Sequence, residues 1–500
     1  MHSLAQATPS PRRDPIGAGR YLLWPSGAVL LITLSSITSQ NVTLSQFVYA
    51  GVFLAISIRA YISWSQAHSI RVPVWPLVCT AHFVFYGVAI FGALRNSPSA
   101  FDHGSQLPDE VLSTAMLVGI LGLLAMGVGR TAAMHLIGHK AFRLPFLATT
   151  TPTPARIQVL LLIGTVANVF GVPFYGTVVW NISVIAFSSL PLTAFLWLVL
   201  VRRFRNLSQF DFLLAMAFLA TRMISGARFN ASLGTIVVPL MLMGVAEVSL
   251  KRKLPWPMIA AVAILILFLQ PGKGRIRHEM NRGEVGEGMM NVAVRWFDVS
   301  ISEWDDVFAG RSSLDKQLTT TSSRTSLLTM TGVILEKTPE IVPYQLGTSY
   351  PLLIKNLIPR VLWPEKPSAN LANQFFQVEY GVTEKSNLKS VSIACGFEAE
   401  GYMNFGWVGI LVVGLVVGFV LGVYELAFFS AGSSLTTIAV GLAMLPGFLT
   451  IESQLVQYLG GILQHVFAAA IVFHQAKGKR SSYDIPGATQ TDRSPSPLVS

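Results

Sequence analysis

Residues 394–409 read ACGFEAEGYMNFGWVG, and they end a long hydrophilic insert just before a hydrophobic segment. Residues 338–367 of the same insert read TPEIVPYQLGTSYPLLIKNLIPRVLWPEKP. Both stretches are rich in aromatic side chains, which supply apolar area that a disordered segment would lack. The two stretches therefore predict an ordered loop between two groups of hydrophobic segments.

The composition around this insert is that of a membrane protein. Of the 500 residues, 52% are hydrophobic and only 12% are charged, against roughly 25% charged in a soluble domain. Apolar runs of about bilayer-spanning length recur along the chain. We predict an all-α polytopic membrane protein of about twelve transmembrane helices with one large, partly helical extracytoplasmic loop. The predicted spans lie near 21–38, 44–63, 74–94, 111–129, 157–175, 177–200, 208–225, 233–250, 255–271, 406–426, 435–451 and 455–474.

The hydropathy pattern divides the chain into five parts. These are a cytoplasmic lead (1–20), helices 1–9 (21–271), the large loop (272–405), helices 10–12 (406–474) and a disordered cytoplasmic tail (475–500). The apolar run after the lead has no obvious cleavage site, so no signal peptide is predicted.

Residue patterns also predict features inside two of these parts. Within the loop, residues 289–309 and 313–336 show helical patterning, and the prolines between 339 and 367 predict an irregular path after them. Gly414, Gly418 and Gly422 recur every four residues in the tenth span, a spacing that predicts close helix packing.

The basic residues predict the orientation. With the N-terminus inside, 19 of the 36 Lys and Arg residues fall on the cytoplasmic side and three in short outer segments, as the positive-inside rule requires. The large loop is then outside, with 14 basic and 15 acidic residues nearly in balance. The net charge of +11 is therefore a property of the cytoplasmic face. Anionic lipid accounts for it, and a nucleic-acid partner is not predicted.

Four short stretches in the outer segments resemble one family. Ile358–Pro367, preceded by Gly347–Tyr350 and followed by Glu400–Gly406, is similar to the large-loop signature of bacterial O-antigen polymerases. Ser225–Arg228 is similar to the Ser-Gly-x-Arg that this family and the related O-antigen ligases place at an outer helix end. Phe229 departs from the small residue that usually follows that arginine.

The resemblance implies a function at the outer face of the bacterial inner membrane. O-antigen polymerases are glycosyltransferases that move a glycan from polyprenyl diphosphate onto another lipid-linked repeat unit. The implied partners are lipid-linked donor and acceptor oligosaccharides and membrane lipids, with a flippase and a chain-length regulator as further expected partners. The product would be O-antigen or exopolysaccharide, and both termini would be cytoplasmic.

Such a reaction needs cations to hold the donor diphosphate as it leaves. Arginine suits this task because its planar fork binds phosphate oxygens in pairs and stays protonated. Arg360 and Arg228 are the candidate catalytic arginines. Arg324 resembles an arginine that the family carries before its proline-rich segment, and it is a candidate substrate-binding residue. The competing structural interpretations are a bridge to a loop carboxylate for Arg360, a headgroup anchor for Arg228 and a solvated helix face for Arg324.

The acceptor hydroxyl must also lose a proton, and a carboxylate is the usual base. Glu398 and Glu400 lie where the loop returns to the membrane, on roughly opposite sides if the segment is helical. Glu400 falls on the family's Glu-x-Tyr-x-Asn-Phe-Gly pattern and is the candidate catalytic base. Asn404, Trp363 and Lys366 are candidate substrate-binding residues, with packing as the structural alternative for Trp363.

A basic run from Lys273 to Arg282 follows the ninth span. Its Arg277 and His278 are candidate substrate-binding residues for the donor diphosphate, although the run could equally meet lipid phosphates. The insert and the first outer loop show no carboxylate cluster suited to a metal, so we predict a metal-independent enzyme without a cofactor. Cys79 and Cys395 are predicted to be packing residues.

Three other functions stay open from the sequence. An O-antigen ligase would share the spans, the arginines and the large outer loop. A flippase or other transporter would need charged groups within the bundle, and such groups are few here. A noncatalytic assembly subunit would use its loop only to bind partners.

Overall fold

A computed structural model describes residues 19–37, 42–67, 69–91, 107–138, 152–174, 177, 179–204, 206–228, 231–251, 255–285, 288–311, 327–358, 360, 362–368, 370–389, 393–460 and 462–473. Over these residues the protein is helical and contains no strand. The predicted all-α class is confirmed. The N-terminal lead up to residue 18 and the predicted tail lie outside the described residues.

The helices before the large loop account for the first nine predicted spans. They are α1 (Gly19–Ile37), α2 (Leu44–Gln66), α3 (Val74–His82), α4 (Asp109–Gly138), α5 (Pro154–Phe170), α6 (Trp180–Val184), α7 (Leu190–Val201), α8 (Gln209–Arg228), α9 (Leu233–Lys251) and α10 (Trp256–Leu269). A π-helical turn and a 3-10 turn extend α3 to Phe91, and a π-helical turn joins α6 to α7.

The remaining helices lie in and after the loop. They are α11 (Gly272–Asn281), α12 (Met289–Phe308), α13 (Leu328–Lys337), α14 (Pro351–Leu357), α15 (Leu371–Glu379), α16 (Phe397–Phe429), α17 (Leu435–Leu449), α18 (Leu455–Leu459) and α19 (Ile462–Phe473). The predicted loop helix at 289–309 is confirmed by α12. The C-terminal part of the one predicted at 313–336 is observed as α13, while residues 312–326 lie outside the described residues.

Each of the twelve predicted spans coincides with a helix, but the number of spans is not confirmed. In the described part of the chain, seven helices are long and apolar enough to cross a membrane, or eight if α10 and α11, which meet at a 52° bend, form one span. The seven are Leu44–Gln66, Val74–Phe91, Asp109–Gly138, Trp180–Val201, Leu233–Lys251, Phe397–Phe429 and Leu455–Phe473. Helices α5 and α17 are apolar but shorter than this length.

Helices α4 and α16 form the centre of the bundle and run parallel to each other. Gly414 lies against the Gly122 backbone, Gly418 against Met126 and Gly422 against Ala133. A Cβ atom added to Gly418 would meet the Met126 carbonyl oxygen at 2.0 Å, so only glycine permits this approach. The predicted role of the glycine repeat in close packing is confirmed within the monomer.

Helix α16 begins at Phe397, before the predicted start of the tenth span at residue 406. The helix breaks at Phe405 and Gly406, where the backbone leaves helical geometry. Gly401 then contacts Gly409, and Glu398 contacts Gly122 at the level of Gly414. Residues 397–404 therefore run back alongside 407–414 as one arm of a helical hairpin, which we call the inserted segment.

Glycine is required at the tip of this hairpin. Gly406 has φ +61° and ψ −142°, a backbone conformation that residues with a Cβ atom rarely adopt. A Cβ atom there would also come within 3.1 Å of the Tyr344 hydroxyl oxygen. The sequence Phe405-Gly406 is thus what allows the chain to reverse between the two arms.

Candidate functional site

The inserted segment brings two glutamates from the loop into the protein interior. Glu398 and Glu400 are both fully buried, as is Asn404 at the opposite end of the segment. Because the two glutamates are two residues apart on a helix, their side chains point to different sides, as the sequence predicts. Each has its own set of partners.

Glu400 faces the start of α18. Its Oε2 accepts a hydrogen bond from the backbone N–H of Leu455 at 2.7 Å, and Leu455 is the first residue of that helix. Its Oε1 lacks a hydrogen-bond partner of good geometry among the described residues, and the Ser349 hydroxyl is a neighbour able to donate to the carboxyl group. One carboxyl oxygen is thus fixed while the other retains capacity to accept a proton.

Asn404 connects the inserted segment to the Gly347–Tyr350 motif. Its Nδ2 donates to the Glu400 carbonyl oxygen at 2.8 Å and to Ser349 Oγ at 3.2 Å. Its Oδ1 accepts the Gly347 N–H at 2.9 Å. The backbone N–H of Leu346 also donates to the Asn404 carbonyl oxygen, which helps to close the end of the helical arm. Asn404 therefore connects two of the four resembling stretches, Gly347–Tyr350 and Glu400–Gly406.

Tyr350 completes this junction on the loop side. Burial raises the pKa of its hydroxyl, and the nearby Glu400 carboxylate raises it further. The Tyr350 ring also lies 6.3 Å from the Phe405 ring, centroid to centroid. The motif thus packs directly against the hairpin that carries Glu400.

Lys366 supports the loop that carries Arg360. It is buried, and its Nζ donates to Asn356 O at 3.2 Å, Asn356 Oδ1 at 3.2 Å and Ile358 O at 2.8 Å. Burial lowers the pKa of Lys366, and the charge of Arg360 lowers it further. These three bonds use all the donors of the ammonium group, so contact with a ligand would require some of them to break.

Arg360 is partly exposed and has donors to spare. Its Nη1 donates to the Pro364 carbonyl oxygen at 3.1 Å, which fixes the side chain across its own loop. Trp363 is half-buried in the same loop. Asn356 Nδ2 donates to the Val456 carbonyl oxygen at 3.5 Å, so this loop rests on α18. The Arg360 loop and Glu400 therefore share one neighbour, the N-terminal end of α18.

The other predicted site residues lie apart from this junction or outside the described residues. Arg277 is partly buried and His278 is exposed on α11, which packs in a separate apolar cluster with α10 and α12. Helix α8 ends at Arg228, whose side chain lies outside the described residues. Arg324 and Phe229 also lie outside them. Contacts of the described residues thus bring together Glu400, Asn404 and the loop of Arg360, Trp363 and Lys366.

The buried pair of His82 and Glu398 was not among the predicted site residues. His82 Nε2 lies 2.7 Å from Glu398 Oε1, and both residues are fully buried. His82 Nδ1 lies 2.8 Å from the Val78 carbonyl oxygen, so Nδ1 carries a proton and donates it to that oxygen. The hydrogen bond between His82 Nε2 and Glu398 Oε1 therefore uses one further proton, which lies between these two atoms.

The pair joins the inserted segment to α3. A π-helical turn begins directly after His82, and the Tyr86 ring stacks on the imidazole at 6.3 Å. The signal that could have identified the pair is the presence of an ionisable residue inside a predicted span, because such residues need a partner or a function.

Comparison with protein families identifies the chain. A family model described as O-antigen polysaccharide polymerase Wzy matches residues 175–455, which is more than half of the sequence. The chain belongs to this family. Comparisons with curated proteins and with solved structures found no match.

Membership in the Wzy family agrees with the resemblance seen in the sequence. The family supports the function of an O-antigen repeat-unit polymerase, a glycosyltransferase-like enzyme. Together with the apolar helices, it indicates an integral membrane protein of polysaccharide biosynthesis. The matched range begins before α6 and ends at Leu455, the residue that donates to Glu400, whereas His82 lies outside it.

In the described part of the chain, no three His, Cys, Asp or Glu residues lie together in an arrangement that could hold a metal ion. Cys79 and Cys395 are both buried and free, and Cys395 Sγ accepts from Gln454 Nε2 at 3.4 Å.

Proposed function

We propose that this Wzy-family protein polymerises polyprenyl-diphosphate-linked oligosaccharide repeat units at the outer face of the bacterial inner membrane. The observation that carries the proposal is Glu400, a buried carboxylate with one oxygen fixed by a helix N-terminus and the other available. It lies on a motif of the family's loop and shares α18 as a neighbour with the loop of Arg360.

In the proposed reaction Glu400 is the general base. It removes the proton from the acceptor hydroxyl as that oxygen bonds to the anomeric carbon of the donor glycan. The bond from the anomeric carbon to the diphosphate breaks, and the lipid diphosphate leaves with the electron pair. The proton then passes from Glu400 to solvent, which restores the carboxylate.

Arg360 and Arg228 are proposed to hold the leaving diphosphate, because guanidinium groups stabilise charge that develops on phosphate oxygens. Arg324, Arg277 and His278 are proposed to contact the same donor. No metal ion or cofactor takes part in this proposal, because these cations supply the positive charge that the leaving group needs.

Three further residues support the proposed site. Trp363 offers a ring face for a sugar. Asn404 and Lys366 act mainly through the bonds that fix the loop and the inserted segment, since their donors are engaged. Because Glu400 is fully buried in this conformation, an acceptor reaches it only when part of the surrounding structure moves aside.

The experiment that tests the proposal separates lipid-linked glycans by size in a strain that lacks the gene. Accumulation of single repeat units at the outer face supports polymerisation. Long polymer that stays on polyprenyl diphosphate would instead identify a ligase, and single units confined to the cytoplasmic face would identify a flippase. An unchanged polymer distribution would exclude all three functions.

A further inference from the structure

Helix α12, within the large loop, presents three different sides. One side is buried against the protein and consists of Val292, Trp296, Val299 and Ser300. A second side is exposed and apolar, with residues that fall within an arc of about 60° at 100° per residue. We call this second side the apolar stripe, and its members are Met290, Val294, Phe297, Ile301 and Phe308.

The third side of α12 is polar and exposed. It carries Asn291, Asp298 and Asp305. A helix with one side on the protein, one apolar side and one acidic side suits a boundary between lipid and water. In water alone, the apolar stripe would be an unexplained exposed patch with side-chain exposures from 40% at Ile301 to 83% at Phe308.

The apolar stripe continues onto the surface of α10. The rings of Phe297 and Phe268 lie 5.0 Å apart, centroid to centroid. Helix α10 in turn exposes Ile259, Ile264 and Leu267, as expected of a helix that faces lipid. The two helices therefore meet at an aromatic contact, and each exposes apolar side chains.

The length of α10 sets the depth of α12. Its 14 residues extend about 21 Å, less than the roughly 30 Å of a bilayer's hydrocarbon core. Helix α12 crosses its end, where Trp296 Nε1 donates to Leu269 O at 3.0 Å and Trp304 Nε1 to Phe268 O at 3.3 Å. These bonds satisfy carbonyl groups that a helix end leaves open. Helix α12 thus lies at a level that a bilayer around α10 would reach.

We propose that the apolar stripe of α12 inserts into the acyl region of the membrane leaflet on the loop side. Lipid is favoured over a second copy of the chain because the stripe adjoins α10 through Phe268 and Phe297, and α10 itself exposes apolar side chains as a lipid-facing helix does. The acidic side then faces water, and Trp304 lies at the level typical of interfacial tryptophan.

Insertion of α12 also fixes the basic helix α11 at the membrane surface. Glu279 of α11 accepts from Arg295 Nε and Nη2, both at 2.8 Å, and from Arg275 Nε at 3.3 Å. These arginines, Arg295 first, lower the pKa of Glu279, so the ion pairs persist at neutral pH. This inference rests on the surface of α12 and does not depend on the proposed reaction.

The test attaches a nitroxide spin label to single cysteines in the full-length protein, reconstituted in vesicles of phosphatidylethanolamine and phosphatidylglycerol. Ile301→Cys and Phe297→Cys report on the apolar stripe, and Asp298→Cys is the matched control on the acidic side of the same helix. The native cysteines are buried, so unaltered protein should take up little label. Power-saturation EPR measures collisions with oxygen, which enters lipid, and with a water-soluble nickel chelate.

Labels at residues 301 and 297 should collide more with oxygen than with the nickel chelate, while the label at 298 should show the reverse. Nickel-dominated collisions at all three positions would place the apolar stripe in water and overturn the proposal. Protection from both reagents at 301 and 297, with dipolar broadening between labels, would show that a second copy covers it, which would also overturn the proposal.

Discussion

Glu400→Gln is the most direct perturbation of the candidate site because it removes the charge and keeps the shape of the side chain. The amide oxygen can still accept the Leu455 N–H that lies 2.7 Å from Glu400 Oε2. Replacing a charged acceptor by a neutral one in this bond costs about 1 kcal/mol, and removing a buried charge offsets part of that cost. We therefore expect the variant to accumulate normally and to melt within a few degrees of the wild type.

The expected loss of activity is much larger, since an amide cannot take up the acceptor's proton. General-base catalysis contributes about 10²- to 10⁴-fold, which corresponds to about 3 to 5 kcal/mol of activation free energy. The initial rate of chain extension should thus fall at least about a hundredfold. The substitution is therefore expected to lower the rate strongly and to leave the melting temperature nearly unchanged, and the two quantities are compared.

The assay follows the initial rate with purified protein and lipid-linked single repeat units, and resolves the products by size. Glu452→Gln is the matched control, because it changes a carboxylate in the connection just before α18 and should leave most of the rate intact. If Glu400→Gln keeps most of its rate, another group is the base. If protein abundance falls in step with activity, Glu400 has a structural role and the reasoning is refuted.

Three further predictions concern other parts of the protein. Arg360→Ala should lower the rate of chain extension about a hundredfold while the protein accumulates normally. The rate of Arg360→Lys should lie between those of the wild type and Arg360→Ala, because lysine lacks the bidentate fork. A fully active lysine variant would contradict a role in holding the diphosphate. A topology reporter fused after Ser313 should be active only outside the inner membrane and one after Arg203 only inside, and the reverse pattern would invalidate the proposed outer location. Glu398→Ala should lower the melting temperature more than Glu398→Gln, because only glutamine can still donate to His82 Nε2; equal melting temperatures would exclude a stabilising role for the pair.

The sequence predicted the helices well because the apolar runs are long and well separated. Every predicted span coincides with a helix. The number of spans was harder to predict, since α5 and α17 are shorter than a full crossing and α10 ends at a bend. Hydropathy measures apolar character and does not register how far a helix reaches across the membrane.

Hydropathy also gave no indication of the inserted segment. The inserted segment contains Glu398, Glu400 and Asn404, which are polar by type and yet fully buried. They are inside because His82, the Leu455 N–H and the Gly347 N–H offer them hydrogen bonds from elements far away in the sequence. No local pattern contains that information.

For the site, the family motifs predicted Glu400, Asn404 and the Arg360 loop, which the structure connects through Asn356 and α18. The motifs could not show that the donors of Lys366 are engaged within the loop, because this depends on where the Asn356 and Ile358 carbonyl oxygens lie. They also gave no indication of His82, which lies outside the matched range. The roles of all the candidate site residues stay predictions, those of Arg228, Arg324, Arg277 and His278 included.

The measurement that tests the central claim most directly is chain extension by the purified protein in vesicles that contain only lipid-linked single repeat units. Products would be separated by size, with and without an excess of a metal chelator. The account predicts a ladder spaced by one repeat unit, unchanged by the chelator and absent with Glu400→Gln. Folded wild-type protein that leaves only single units, or a ladder that forms only with added magnesium or manganese, would contradict it.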